Sequence, residues 1–130
     1  MNSVVLDASA VLAVIHAERG QERVISHMSG AMISAVNYSE VLKKAIESGS
    51  DLARTKLHLD NFMLEIVPFD SVHASIAAEI WPAVKSRGLS LADRACLALG
   101  IAQKAMVLTA DSRMAETDLA VKVKRIRDRR

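Results

Sequence analysis

Four acidic residues stand where an α/β fold would bring their side chains together: Asp7, Glu40, Asp93 and Asp111. Asp7 directly follows an apolar stretch, and Asp111 stands two residues past Thr109, at the end of another. Like charges a few ångströms apart cannot all stay ionised unless protons or a cation neutralise them. A hard divalent ion with oxygen ligands, Mg²⁺ or Mn²⁺, is the natural partner for such a group. The four acids therefore predict a shared cation site.

Each acid also has an ordinary structural explanation. Asp7 would cap a helix or form an Asx turn, and Asp111 would cap the turn that follows it. Glu40 would pair with a lysine three or four residues further along its helix. Asp93 stands three residues after Ser90, where it would close a capping box and favour the helix dipole. Only the common placement of all four acids argues for shared chemistry.

Short apolar runs alternate with helical patterns along the chain. Strands are predicted at residues 3–6, 31–34, 65–69, 106–109 and 121–126. Helices are predicted at about 8–15, 18–29, 37–47, 52–64, 71–87 and 91–104, with a helical turn at 112–118. This alternation implies parallel strand pairing through right-handed crossovers. It predicts one α/β domain over residues 1–130, with a central parallel sheet of four to five strands flanked by helices.

The topology predicts where the acids meet. In open parallel sheets, ligands bind beyond the carboxyl ends of the strands. Asp7 and Asp111 follow strands directly, whereas Glu40 and Asp93 lie near the starts of helices that return from that same edge. We therefore expect all four carboxylates at one rim of the sheet.

The composition limits the class of protein. Hydrophobic residues make up 51% of the 130 residues but aromatic residues only 3%, so the core must be aliphatic. A net charge of +2 is too weak to indicate a nucleic-acid partner by itself. The single cysteine, Cys96, cannot form an internal disulfide and is predicted to be a buried apolar residue in a reducing compartment. Without a membrane-length apolar run or a signal peptide, we expect a cytoplasmic protein and no membrane partner.

The segments that carry the acids resemble the PIN-domain pattern. They read VLDASA at 5–10, NYSEV at 37–41, LSLAD at 89–93 and VLTAD at 107–111. More narrowly, they resemble the VapC toxins of bacterial type II toxin–antitoxin pairs. The resemblance covers almost the whole chain and lies in the ordered set of segments rather than in any single motif. One departure is Met114, where many relatives carry a tryptophan shortly after the last acid.

This resemblance implies a single PIN-like domain that acts as a metal-dependent endoribonuclease and hydrolyses RNA phosphodiester bonds. By analogy, Asp7 and Asp93 hold Mg²⁺ or Mn²⁺, Asp111 ligates the ion directly or through water, and Glu40 positions a water or a second ion. These four are the catalytic residues that the resemblance implies. The implied partners are the RNA substrate, a small VapB-like antitoxin whose tail covers the acidic groove, and a second copy in a homodimer.

Other polar residues near the acids have two explanations each. Ser9 and Thr109 would hydrogen-bond a metal-bound water or a phosphate oxygen, or else make local turn bonds. Arg94 and Arg113 would clamp phosphate bidentately, or else lie on the surface or pair with nearby acids. The basic segment 122–130 would attract RNA phosphates, or else protect an exposed edge strand from pairing with another chain.

Two other functions stay open. The first is phosphoryl transfer through an aspartyl-phosphate, as in haloacid-dehalogenase-like phosphatases or receiver domains. Those phosphatases usually carry an acid two residues after the nucleophile, where this chain has Ser9, and no lysine follows Thr109 as a receiver would need. The second is a non-catalytic PIN-like module that binds RNA or a partner. Only the presence of all four acids argues against it.

Overall fold

The computed structural model describes residues 3–128 and contains one five-stranded sheet. The strands are β1 (Val4–Leu6), β2 (Met32–Ser34), β3 (Glu65–Val67), β4 (Met106–Thr109) and β5 (Val123–Arg125). Their order across the sheet is β3-β2-β1-β4-β5, and every neighbouring pair is parallel. The predicted α/β fold with a central parallel sheet is confirmed.

Eight α-helices connect and cover these strands within residues 3–128. They are α1 (Ala8–Ile15), α2 (Gln21–Ile25), α3 (Ala35–Glu47), α4 (Leu52–Asp60), α5 (Ser71–Glu79), α6 (Trp81–Val84), α7 (Leu91–Gln103) and α8 (Ser112–Ala115). A 3₁₀ turn, Lys85–Arg87, precedes α7. None of the described helices combines the length and the apolar character that crossing a bilayer requires.

The core has two layers, one on each face of the sheet. Val4 and Leu6 of β1 belong to a buried cluster with side chains of α1–α4, whereas Val5 belongs to a cluster with α6 and α7. Successive side chains of a strand point to opposite faces, so the two clusters lie on opposite sides of the sheet. The continuously apolar strands reflect burial on both faces. Cys96 is fully buried in the second cluster, as predicted.

Helix α7 lies unusually close to the sheet at Gly100. A Cβ atom at this position would stand 2.7 Å from Cγ2 of Val107 and 2.9 Å from Cγ2 of Val121. A glycine inside a helix costs about 0.5–1 kcal/mol relative to alanine. Here it permits the close approach that seats α7, whose first turn carries Asp93.

Three helix predictions are wrong in extent. The helix predicted at 52–64 ends as α4 at Asp60. The helix predicted at 71–87 is broken, because α5 ends at Glu79 and Pro82 lies in the first turn of α6. Proline has no N–H to continue the ladder of the preceding turn. The helix predicted at 18–29 is reduced to α2. The backbone N–H groups of His27 and Met28 donate to carbonyls three residues earlier, which is the bonding of a turn and not of an α-helix.

The edges of the sheet follow the sequence more closely. Pro68 comes directly after β3, and β3 is an edge strand, where a proline costs no ladder hydrogen bond. The opposite edge is β5, which begins the basic C-terminal segment. Residues 129 and 130 of that segment lie outside the described residues.

Candidate active site

The four predicted acids line one cavity of about 170 Å³. Asp7 follows β1 and caps α1, whereas Asp111 stands two residues past β4 and caps α8. Glu40 comes from the second turn of α3 and Asp93 from the first turn of α7. The structure thus gathers them at the carboxyl ends of the strands, where the topology predicts them. Their catalytic roles remain predictions.

Asp7 forms the buried corner of this cavity. Its side chain is 4% exposed and accepts hydrogen bonds on both oxygens. Thr109 Oγ1 donates to Oδ2 at 2.5 Å, while Ser9 Oγ and the Ala10 N–H donate to Oδ1 at 2.7 and 2.9 Å. Burial raises the pKa of Asp7 to about 6, although the Thr109 and Ser9 hydrogen bonds oppose that rise. Asp7 therefore changes protonation state in mildly acidic solution.

Ser9 and Thr109 orient this carboxylate from two separate segments. The Ser9 hydroxyl accepts from the Ala110 N–H, and the Thr109 hydroxyl accepts from the Asp111 N–H, both at 2.9 Å. Each hydroxyl can donate only one proton, and Asp7 receives both. The pair therefore ties the start of α1 to the loop after β4. Contact of either hydroxyl with a metal-bound water or a phosphate stays a prediction.

Asp93 serves as a helix cap and as part of the cavity wall at once. Its Oδ2 accepts from the Ser90 N–H at 2.9 Å, and its own N–H donates to Ser90 Oγ at 3.2 Å, which completes the capping box. The ordinary explanation of Asp93 is therefore correct. It does not exclude a second role, because the same side chain lines the cavity.

Asp111 forms the exposed corner, where Arg113 holds it. The guanidinium donates from Nη2 to Oδ2 at 2.8 Å and from Nε to Oδ1 at 3.2 Å. Its Nη1 donates to the Gly88 carbonyl at 3.2 Å, and its Nη2 lies 4.0 Å from Oδ2 of Asp93. Because of these bonds, the pKa of Asp111 is lowered and that of Arg113 is raised. Of the two explanations for Arg113, the structure shows pairing with the acids.

Arg94 lies outside this cavity. Its Nη1 donates to the Ala77 carbonyl of α5 at 2.9 Å, and its side chain does not line the wall. Arg94 therefore helps to pack α5 against α7, and its predicted contact with phosphate finds no support.

Glu40 forms no ion pair with a lysine among residues 3–128. Lys43, one of the two lysines at helical spacing, contacts Glu47 instead, at 3.9 Å.

Asn37 is a site residue that the sequence analysis missed. It is 1% exposed and lines the cavity with the acids. Its Nδ2 donates to the Ala92 carbonyl at 3.0 Å, and its Oδ1 has no hydrogen-bond partner among the described residues. Asn37 precedes Glu40 by three residues, so both lie on the same face of α3. That spacing was the available signal.

The four carboxylates line one cavity, but they are not arranged to chelate a metal ion. Within residues 3–128, no three His, Cys, Asp or Glu side chains lie close enough together to hold a metal ion as they stand. The hydrogen bonds explain this: hydroxyl groups hold Asp7, a capping box holds Asp93, and Arg113 holds Asp111. The donor set nevertheless consists of carboxylate and amide oxygens, which suits Mg²⁺ or Mn²⁺.

Comparison with known proteins agrees with this fold. A DNA-bound VapBC complex from Salmonella typhimurium superimposes with a TM-score of 0.75 and 18% identity, covering 97% of this chain and 99% of that one. VapC20 of Mycobacterium tuberculosis, a sarcin-ricin loop cleaving toxin, gives a TM-score of 0.70 and 14% identity, covering 92% and 98%. A toxin–antitoxin complex from Klebsiella pneumoniae gives 0.74 and 16%, covering 91% and 94%.

Sequence comparison identifies the family. No curated protein sequence matches the chain. The family model of the PIN domain, however, matches residues 4–119, which include all four acids, Asn37 and Arg113. The chain therefore belongs to the PIN domain family.

Proposed function

We propose that this chain is a metal-dependent endoribonuclease that hydrolyses RNA phosphodiester bonds as the toxin of a toxin–antitoxin pair. The observation that carries the proposal is the meeting of four carboxylates from separate elements in one cavity. The likeness to VapBC complexes and to VapC20, a sarcin-ricin loop cleaving toxin, supports it.

The cavity fits a divalent cation by its chemistry. Asp7 and Asp93 would hold Mg²⁺ or Mn²⁺, and Asp111 would join them directly or through water when Arg113 releases it. Such an ion lowers the pKa of bound water and neutralises charge on the attacked phosphate. Like charges gathered in one cavity favour a cation, and the raised pKa of Asp7 already reflects the cost of leaving that carboxylate buried.

The chain's own side chains would prepare the substrate. Glu40 would orient the attacking water and accept its proton on the carboxylate. Arg113 presents a planar guanidinium at the mouth of the cavity and would bind a phosphate oxygen pair after leaving Asp111. Ser9 and Thr109 would keep Asp7 oriented throughout, since both hydroxyls donate to it.

The proposal includes protein partners. A cavity of about 600 Å³ with a mixed apolar and polar lining lies between α1, α3 and α4, and Leu12 lines both it and the acid cavity. A small antitoxin could therefore place apolar side chains against Ile15 and Val41 and a basic side chain among the acids, matching shape and charge. We also propose a homodimer, supported by exposed apolar residues such as Leu57, and a cytoplasmic location, where RNA is found.

The test compares cleavage of RNA by the purified chain in Mg²⁺, in Mn²⁺ and in EDTA, beside two variants. Asp93→Asn removes a cavity charge, whereas Asp70→Asn is the matched control. Asp70 caps α5 by accepting from the His73 N–H at 3.0 Å, outside the cavity, and asparagine preserves both caps. We expect cleavage to need the ion, to fall about 100-fold or more in Asp93→Asn, and to persist in Asp70→Asn.

Other outcomes would identify the rival functions. Equal cleavage in EDTA, or by Asp93→Asn, would contradict the nuclease proposal. Hydrolysis of a small phosphate ester with a trapped phospho-enzyme would indicate the phosphatase, and RNA or protein binding without turnover would indicate the non-catalytic module.

A further inference from the structure

Asn37 joins the two helices that carry Glu40 and Asp93. Its Nδ2 donates to the Ala92 carbonyl at 3.0 Å, and Ala92 is the residue directly before Asp93. The donor lies in the first turn of α3, and the acceptor lies in the first turn of α7. These helices start beside the same rim of the sheet, so this bond helps to hold the two acids at a set separation across the cavity.

The other polar atom of the same amide has no partner in the part of the chain that the structure describes. Oδ1 of Asn37 is buried and accepts no hydrogen bond among residues 3–128. The amide cannot turn over to relieve this, because Oδ1 would then face the Ala92 carbonyl. A buried acceptor without a donor is costly, and in a folded protein it calls for a physical explanation. Leucine would fill similar space without that cost.

The surroundings of Asn37 indicate which donor is missing. The side chain lines the cavity with Asp7, Glu40, Asp93 and Asp111, which are acceptors when ionised. The ionised carboxylates that share this cavity cannot donate to Oδ1. Ser9 and Lys44 also line the cavity, but neither donates to Oδ1 among residues 3–128, and the Ser9 hydroxyl gives its proton to Asp7. Water bound to a divalent cation is a strong donor, because the ion polarises its O–H bonds.

We propose that Asn37 is a positioning residue of the cation site, in which Nδ2 holds α7 against α3 and Oδ1 accepts a hydrogen bond from a cation-bound water. The inference rests on the proposed function and names a residue that the four-acid pattern does not include. Groups that hold a metal's ligands and waters are worth roughly 10- to 100-fold in metal affinity or activity.

The test measures Mn²⁺ affinity of the full chain by following free Mn²⁺ with electron paramagnetic resonance, which needs no turnover. Asn37→Leu removes both polar atoms, whereas Asn37→Asp keeps an acceptor oxygen and loses the donor to Ala92. Asn61→Asp is the matched control, because it adds the same charge at an exposed position at the end of α4. Thermal unfolding in EDTA reports the loss of the α3–α7 bond separately.

We expect Asn37→Leu to bind Mn²⁺ about 10-fold more weakly or worse. Asn37→Asp should match or exceed the wild-type affinity, although both variants unfold at lower temperature in EDTA. Asn61→Asp should leave the affinity within about twofold. If Asn37→Leu does not fold, the comparison of Asn37→Asp with wild type and Asn61→Asp still decides the question.

Two results would overturn the inference while leaving the proposed function intact. Wild-type affinity in Asn37→Leu would mean that the amide plays no part in the site. An equal loss in Asn37→Leu and Asn37→Asp would mean that Asn37 only holds the helices together. If the wild-type chain binds no Mn²⁺ and cleaves no RNA, the proposed function fails and the inference fails with it.

Discussion

The two ends of the acid cavity solve the same electrostatic problem in opposite ways. At the buried end, Asp7 is surrounded by hydroxyl and backbone donors, and burial raises its pKa to about 6. At the exposed end, Asp111 is paired with Arg113, and its pKa is lowered. At the buried end a proton can thus neutralise Asp7, whereas at the exposed end the guanidinium of Arg113 neutralises Asp111.

This difference separates two carboxylates of identical chemistry into different roles. Environments that drive the pKa values of neighbouring acids apart are typical of sites where the acids do different tasks. The buried end has a fixed geometry, because its donors come from two segments of the core. The exposed end can rearrange, since the Arg113 side chain is half exposed. A bound divalent ion would take the place of both the proton on Asp7 and the Arg113 guanidinium at Asp111.

The largest expected effect comes from the buried end. Asp7→Asn should reduce RNA cleavage by about 100-fold or more, because it removes a proposed metal ligand. The same variant should be more stable than wild type at pH 7.5 in EDTA, since it no longer buries a charge. The measurements are initial cleavage rates and urea unfolding. Loss of both activity and stability would indicate misfolding rather than the loss of a ligand.

The stability gain in Asp7→Asn should depend on pH in a defined direction. The pKa of Asp7 is about 6 in the folded protein and 3.8 in the reference state, so the folded state binds this proton more tightly. The contribution of Asp7 to stability is therefore greatest below pH 4 and declines as the pH rises from 4 to 6. The difference between the variant and wild type should grow to at most about 3 kcal/mol over that interval. A difference that stays constant from pH 4 to 7.5 would contradict the raised pKa.

A smaller effect should follow from loss of the hydroxyl that faces Asp7. Thr109→Val keeps the shape of the side chain but leaves Oδ2 of Asp7 and the Asp111 N–H without this partner. We expect the free energy of unfolding to fall by about 1–3 kcal/mol. Thr117→Val is the control, because within residues 3–128 the Thr117 hydroxyl donates only to the Met114 carbonyl three residues earlier. Equal losses of unfolding free energy in the two variants would show that the Thr109 hydroxyl contributes no more to stability than the Thr117 hydroxyl does.

The smallest effect on stability should come from the exposed end. Arg113→Gln breaks an ion pair in contact with solvent, which is worth roughly 0.2–1 kcal/mol. Its Mn²⁺ affinity should nevertheless rise several-fold, because the ion no longer competes with the guanidinium for Asp111. Arg87→Gln is the control, since the Arg87–Glu116 pair, at 3.5 Å, involves none of the four acids. Weaker Mn²⁺ binding in Arg113→Gln than in Arg87→Gln would contradict the proposal that the ion displaces the Arg113 guanidinium from Asp111.

The position of the acids was predictable because it depends on topology. Asp7 and Asp111 follow strands that the apolar runs reveal, and parallel strands deliver their carboxyl ends to one rim. The orientation of Arg113 was not predictable in the same way. Its sequence position allows contact with phosphate or with Asp111 equally, and only its rotamer decides between them.

Other errors came from signals that were present but not used. Pro82 carries no N–H, so a continuous helix through it was never favourable. Asn37 was assigned only to the start of a helix, although its spacing from Glu40 places it on the inward face.

The missing side chain at Gly100 has a consequence for the opposite end of its helix. Gly100 and Asp93 are separated by about 10 Å along α7, and a helix of this length moves nearly as a rigid rod. Contact with Val107 and Val121 therefore sets the height at which Asp93 enters the cavity. A methyl group added at position 100 would push this end of α7 away from the sheet and so shift or tilt the first turn that carries Asp93. The spacing of the carboxylates therefore depends on the absence of a side chain at Gly100.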